Sequence, residues 1–162
     1  MAAGGGILTL VGGSVVAGAP AAHASRAPAV CAPARLYVST GAPDVGAGQL
    51  RLPVRFTDTA ASACTLGGFP QVRVLDAAHH PIGPPARPQP RPHGTVVLRP
   101  GATATALVST TDGPVSGRCL PRGTFLRIVP PGSTRPAVVP AALSVCSNVF
   151  GVSPVAAPPP GA

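Results

Sequence analysis

An all-β sandwich stapled by disulfides is the fold class the sequence predicts, and three observations predict it. Leu50, Leu52, Val54 and Phe56 alternate with Arg51, Pro53, Arg55 and Thr57, the period of two expected of a half-buried strand. Short runs rich in Val, Leu and Thr recur between turn-forming segments. Four cysteines, Cys31, Cys64, Cys119 and Cys146, follow an N-terminal stretch that reads as an export signal.

The Leu50 to Thr57 strand buries one face and wets the other. Pro53 cannot donate to a ladder, so the strand is expected at a sheet edge or with the Pro53 nitrogen turned outward. The other expected strands are Leu36 to Ser39, Val72 to Leu75, Thr95 to Leu98, Thr103 to Ser109, Phe125 to Val129 and Ala137 to Val139. Asp76 to Gly83, Pro100-Gly101 and Asp112-Gly113-Pro114 supply turn chemistry between them. No apolar stripe of helical period persists without meeting Gly or Pro, which are costly inside helices. Seven or eight short strands at this spacing suggest an immunoglobulin-like outline.

Composition sets a limit on this reading. With 20 Gly and 23 Pro among 162 residues, low-complexity disorder competes with a packed fold. Leu, Ile, Val and Phe make up about 24% of the chain, enough apolar surface to offset ordering entropy. The segment Pro84 to His93 holds five prolines and is expected to be a stiff, extended surface loop.

Residues Ala2 to Ser25 carry no formal charge, and Gly6 to Val16 is an apolar run followed by Ala22-His23-Ala24. That pattern fits a secretory signal cleaved after Ala24, although a basic residue is missing ahead of the run. An uncleaved membrane anchor is the alternative. The expected organisation is a signal at 1–24, a short linker at 25–30, the sandwich at 31–155 and a Pro-rich disordered tail at 156–162.

In an exported chain the four cysteines should form two disulfides, and they contain no C-x-x-C knuckle that would favour zinc. Three connectivities are open. Pairing Cys31 with Cys64 and Cys119 with Cys146 is favoured, because each bond would pin an outer strand to its sequence neighbour.

Several motifs lie along the chain: Cys31 with Leu36, Gly46-Ala47-Gly48-Gln49, Phe56-Thr57-Asp58-Thr59, Cys64-Thr65-Leu66, Gly68-Phe69-Pro70 with Val72, Pro100-Gly101, Cys119, Pro130-Pro131-Gly132, Cys146 and Val152-Ser153-Pro154. Together they resemble a family of secreted and lipoprotein domains of actinobacteria known as domain of unknown function 4232. The chain departs from the family pattern with Asp58 in place of Asn, no tryptophan in the Thr103 to Thr110 strand, and no lipid-bearing cysteine. The resemblance implies an exported β-sandwich and no activity.

Catalytic signatures are absent from the sequence. The four acids, Asp44, Asp58, Asp76 and Asp112, all sit in turn-like contexts, which turn formation explains without a glycosidase pair. A Ser-His-Asp hydrolase, the distant alternative, would need a Gly-x-Ser-x-Gly elbow that does not occur, and Ser116 lacks a strand-to-helix setting. His79 and His80 are adjacent and read as a solvated hairpin tip. Lysine is absent, which removes any Walker loop. Nucleic acid is not an expected partner, since Tyr37 and four Phe offer few stacking platforms and Phe56, Phe69 and Phe125 read as core. No catalytic residue, metal or cofactor is expected.

All 12 basic residues are arginine, and the net charge is +8. Arginine's planar fork grips phosphate or carboxylate in bidentate fashion, while a G+C-rich genome would produce the same composition without selection for binding. Arg51 and Arg55 point away from the buried face about 13 Å apart, four residues at the usual strand rise. If the strand carrying Arg73 lies alongside, the three form a basic stripe facing solvent. The expected role is a secreted or envelope-bound, non-catalytic binding domain. Its expected partners are anionic cell-envelope polymers or an envelope protein, and a membrane only if the N-terminal segment stays uncleaved. A structural domain assisting a surface assembly, with no ligand of its own, is the alternative.

Overall fold

A computed structural model describes residues 1–6, 18 and 26–158. The expected export signal at 1–24 and its expected cleavage site therefore fall largely outside the described residues, as does the part of the expected tail beyond Pro158. Among the described residues eleven strands follow a 3-10 turn at Pro33–Arg35. They are β1 (Leu36–Thr40), β2 (Asp44–Gly46), β3 (Gln49–Asp58), β4 (Cys64–Gly67), β5 (Gln71–Leu75) and β6 (Arg87–Pro88), then β7 (Thr95–Leu98), β8 (Thr103–Thr111), β9 (Phe125–Val129), β10 (Ala137–Pro140) and β11 (Gly151–Val152). The domain is an all-β sandwich. The large sheet runs β1-β3-β8-β11-β6 with β2 also on β3, the facing sheet runs β10-β9-β5, and β4 pairs with β7.

Alternation builds the core. Leu52, Val54 and Phe56 of β3 and Ala104, Ala106 and Val108 of β8 point inward to meet Val72, Val74, Leu126, Ile128 and Val139 from the facing sheet. In the β3–β8 register Phe56 stands opposite Ala104 and Val54 opposite Ala106, so a bulky residue on one strand has a small neighbour on the next. Leu66 and Leu98 of the β4–β7 pair close the same core.

The β2–β3 hairpin turns on Ala47 and Gly48, at φ 50° and 73°. Positive φ at both central residues is the two-residue turn whose twist matches its strands, and glycine supplies half of it without strain.

Disulfides join Cys31 to Cys64 and Cys119 to Cys146. The first reinforces a short pairing in which Cys31 N–H donates to Thr65 O at 2.9 Å and Thr65 N–H donates to Ala29 O at 2.8 Å. Ala29 and Val30, expected in a linker, thus run beside β4.

Three expectations are corrected, and the two alternatives for the Pro53 strand are resolved. β3 is interior to its sheet, flanked by β8 on one side and β1 and β2 on the other. It tolerates Pro53 because Gly41 N–H donates to Pro53 O, which places the Pro53 nitrogen at the break between β1 and β2. The Pro84 to His93 segment is a largely exposed surface segment as expected, but it is not a loop throughout. Arg87 and Gln89 N–H groups donate to Phe150 O and Val152 O, so β6 adds a parallel edge strand in which Pro88 faces away from the ladder.

Asp58 is more than a turn residue: its side chain is fully buried, 3.9 Å from the Arg35 guanidinium, and also accepts from Ala60 N–H. Phe56 is core, but Phe69 and Phe125 are half-buried, each edge-on to a histidine, His93 and His79 respectively.

Candidate functional site

The outer face of the large sheet is divided by what crosses it. At one end Gln89 Nε2 donates to Ser109 Oγ at 2.8 Å and Thr111 Oγ1 donates to Gly113 O at 2.8 Å, so Ser109 and Thr111 are buried on this face although they lie at a strand end. Gly151 makes the first crossing possible, since a Cβ there would collide with the Gln89 side chain. At the other end the face is open. A groove of about 690 Å³ runs over Pro53 and Arg55 of β3 and Thr103, Thr105 and Leu107 of β8.

Two chain segments wall this groove. One is Ser153 to Pro158, which runs on from β11 along β8. Ser153 N–H donates to Leu107 O, Leu107 N–H donates to Ser153 Oγ, and Thr105 and Ala156 exchange both backbone bonds at 2.9 Å. Ala156, expected in the tail, therefore belongs to the sheet. The other wall is Arg91-Pro92, held by the edge-on contact of His93 with Phe69, ring centroids 5.0 Å apart. The floor is apolar and hydroxyl-bearing, and Arg55 and Arg91 are its cations.

Charge pairing separates the arginines. Arg51 lies 3.9 Å from Asp44, and both are well exposed, a pairing worth little in water. Arg55 and Arg91 have no carboxylate within 4.0 Å among the described residues. Arg73 does not join them. Its strand β5 pairs with β9 in the facing sheet, so the expected stripe of Arg51, Arg55 and Arg73 on one surface is not formed. The alternation correctly oriented each side chain, but sheet membership is a long-range choice that alternation does not contain.

The histidines lie elsewhere. Asp76 Oδ1 accepts from Ala78 and His80 N–H, both at 2.8 Å, and His80 Nδ1 lies 3.4 Å from Asp76 Oδ2. The hydrogen bond from His80 N–H, helped by that from Ala78 N–H and by the imidazole, holds the Asp76 carboxyl below its ordinary pKa against a smaller desolvation effect. Ser116 donates its N–H to Ser147 Oγ in a surface loop. No group of three or more His, Cys, Asp or Glu that could hold a metal gathers among the described residues.

Residues 31–156 match the model of a family described as Domain of unknown function (DUF4232). The chain belongs to the DUF4232 family. The match ends on Ala156, among the described residues the last one of this DUF4232 domain bonded to β8. No curated protein and no solved structure matches the chain. Within the domain, Val152-Ser153-Pro154 and Gly68-Phe69-Pro70 acquire local roles: the first buries Val152 in the core and lends Ser153 and Pro154 to the groove wall, and the second carries the ring that His93 meets. Arg91 was not legible as a groove residue, because its position depends on β6 docking to β11.

Proposed function

We propose that this DUF4232 domain is an exported, non-catalytic binding module of the cell envelope or its surroundings, and that its outer groove holds an anionic envelope polymer. The observation that carries this reading is the pair Arg55 and Arg91, free of carboxylate partners among the described residues and set beside an open groove of about 690 Å³. The net charge of +8 adds long-range attraction for anions. Two disulfides support an oxidising compartment, as does the N-terminal apolar run ending in Ala-His-Ala. Among the described residues no helix is long and apolar enough to cross a membrane.

The test compares the protein with an Arg55→Gln, Arg91→Gln variant for retention on isolated cell walls and on a neutral polysaccharide, at low and physiological salt. Wall retention of the variant should fall about tenfold at low salt, the equivalent of some 1.4 kcal/mol, and the difference should shrink as salt screens the charges. Equal, salt-insensitive retention of both folded proteins refutes the reading and favours a structural role without a ligand.

A further inference from the structure

The facing sheet carries a second, differently built pair of cations. β5 and β9 are antiparallel with Arg73 directly opposite Arg127. Val72, Val74, Leu126 and Ile128 on either side of them are fully buried, so both arginines leave the outer face of the sheet. Residues so paired have Cβ atoms about 4.5–5.5 Å apart, and like charges placed this way repel. Both side chains are half-buried, and with Gln71 and Pro85 they line a recess of about 250 Å³.

A carboxylate would ordinarily offset such a pair, but three of the four acids are committed elsewhere. Asp44 lies beside Arg51, Asp58 beside Arg35, and Asp76 is bound into its own turn with His80. Asp112, the fourth, makes no ion pair with an arginine among the described residues. On the other flank of β9 the neighbour of Arg127 is Val138, an exposed residue without charge.

We propose that Arg73 and Arg127 together form a binding site for a terminal phosphate group, inorganic phosphate or a phosphate monoester, separate from the groove of the large sheet. Each guanidinium presents two parallel N–H groups as a fork. One fork satisfies both oxygens of a carboxylate and leaves the second arginine unpaired, whereas a terminal phosphate has three free oxygens and engages both forks at once. The bound dianion also cancels the repulsion that the register imposes. Gln71, at the rim of the recess, offers an amide N–H to an oxygen or to the esterified group.

The experiment follows the melting temperature of the disulfide-bonded protein in inorganic phosphate, methyl phosphate, dimethyl phosphate, acetate and chloride at matched ionic strength. Inorganic and methyl phosphate should each raise it above the chloride value, and the diester and acetate should not. Arg73→Gln and Arg127→Gln should abolish the increment. Arg73→Lys, which keeps the charge and loses the fork, should weaken phosphate binding at least tenfold in a titration followed by NMR of the arginine side-chain N–H groups. The Arg55→Gln, Arg91→Gln variant should keep the full response, which separates this site from the groove. A phosphate response equal to that of chloride, or one that survives in an Arg73→Gln, Arg127→Gln double variant, overturns the proposal.

Discussion

On the large sheet Arg55 stands between Ser39 of β1 and Thr105 of β8, while on the facing sheet Arg73 stands against Arg127. The two arginines reach the surface by the same rule, since each alternates with buried residues on its own strand. What differs is the register of the neighbouring strand. Hydroxyl-bearing neighbours leave Arg55 beside an open groove shared with Arg91. An arginine neighbour makes Arg73 half of a tight pair over a small recess. Surface chemistry in a sandwich is thus set by cross-strand partners as much as by the residue itself.

Both faces rest on one core, and the largest expected effect tests that dependence. Phe56 is fully buried beneath the large sheet in the same cluster as Val72 and Ile128 of the facing sheet. Phe56→Ala should cost about 3–5 kcal/mol, read by denaturant unfolding. Wall retention and phosphate response should then be lost in one transition. Two separated transitions would show that the sheets unfold independently and would break the comparison at its root.

A smaller effect addresses the registers directly. In phosphate-free buffer Arg73→Gln should stabilise the protein, by about 0.2–1 kcal/mol, through relief of like-charge opposition. Arg55→Gln, which faces Ser39 and Thr105, should leave stability within about 0.5 kcal/mol of wild type. A destabilising Arg73→Gln would mean that the pair is not repulsive in the folded state.

The smallest effect concerns the end of β5. The Asp76 carboxyl is held below its ordinary pKa by the turn's N–H groups, so its contribution to stability is complete above the unfolded carboxylate pKa and is lost as pH falls through the lower folded value. Hydrogen-exchange protection at Ala78 and His80 should decline in that acid window, while Ala104 and Ala106 of β8 keep theirs. Loss of protection in both sheets together would assign the acid sensitivity to global unfolding.

Much of the architecture was legible along the chain. The alternation from Leu50 to Phe56 determined which side of β3 is buried, because a period of two admits no other assignment once one face is apolar. The runs that became β7 and β9 begin and end where their turn residues indicate. The strands that were not legible, β2, β4, β6 and β11, are short and rich in Gly, Pro or polar residues. Each exists because another strand offers it a ladder, and nothing local encodes that offer. Asp58 reads as a turn residue for the same reason: its burial depends on Arg35, 23 positions earlier in the chain.

The sequence by itself determined an all-β domain, the facing of its principal strand, the outward direction of Arg51, Arg55 and Arg73, and a cationic surface with four acids to offset it. These are properties of composition and of strand alternation, which act over a few residues. The tertiary structure alone decided that Arg73 belongs to the opposite sheet, that its neighbour is Arg127, and that Arg91 is carried to the groove of Arg55 by the edge strand Arg87–Pro88. Those outcomes follow from which strands pair and in what register. Pairing is selected by burial of the whole core, where Phe56, Val72 and Ile128 meet from distant parts of the chain.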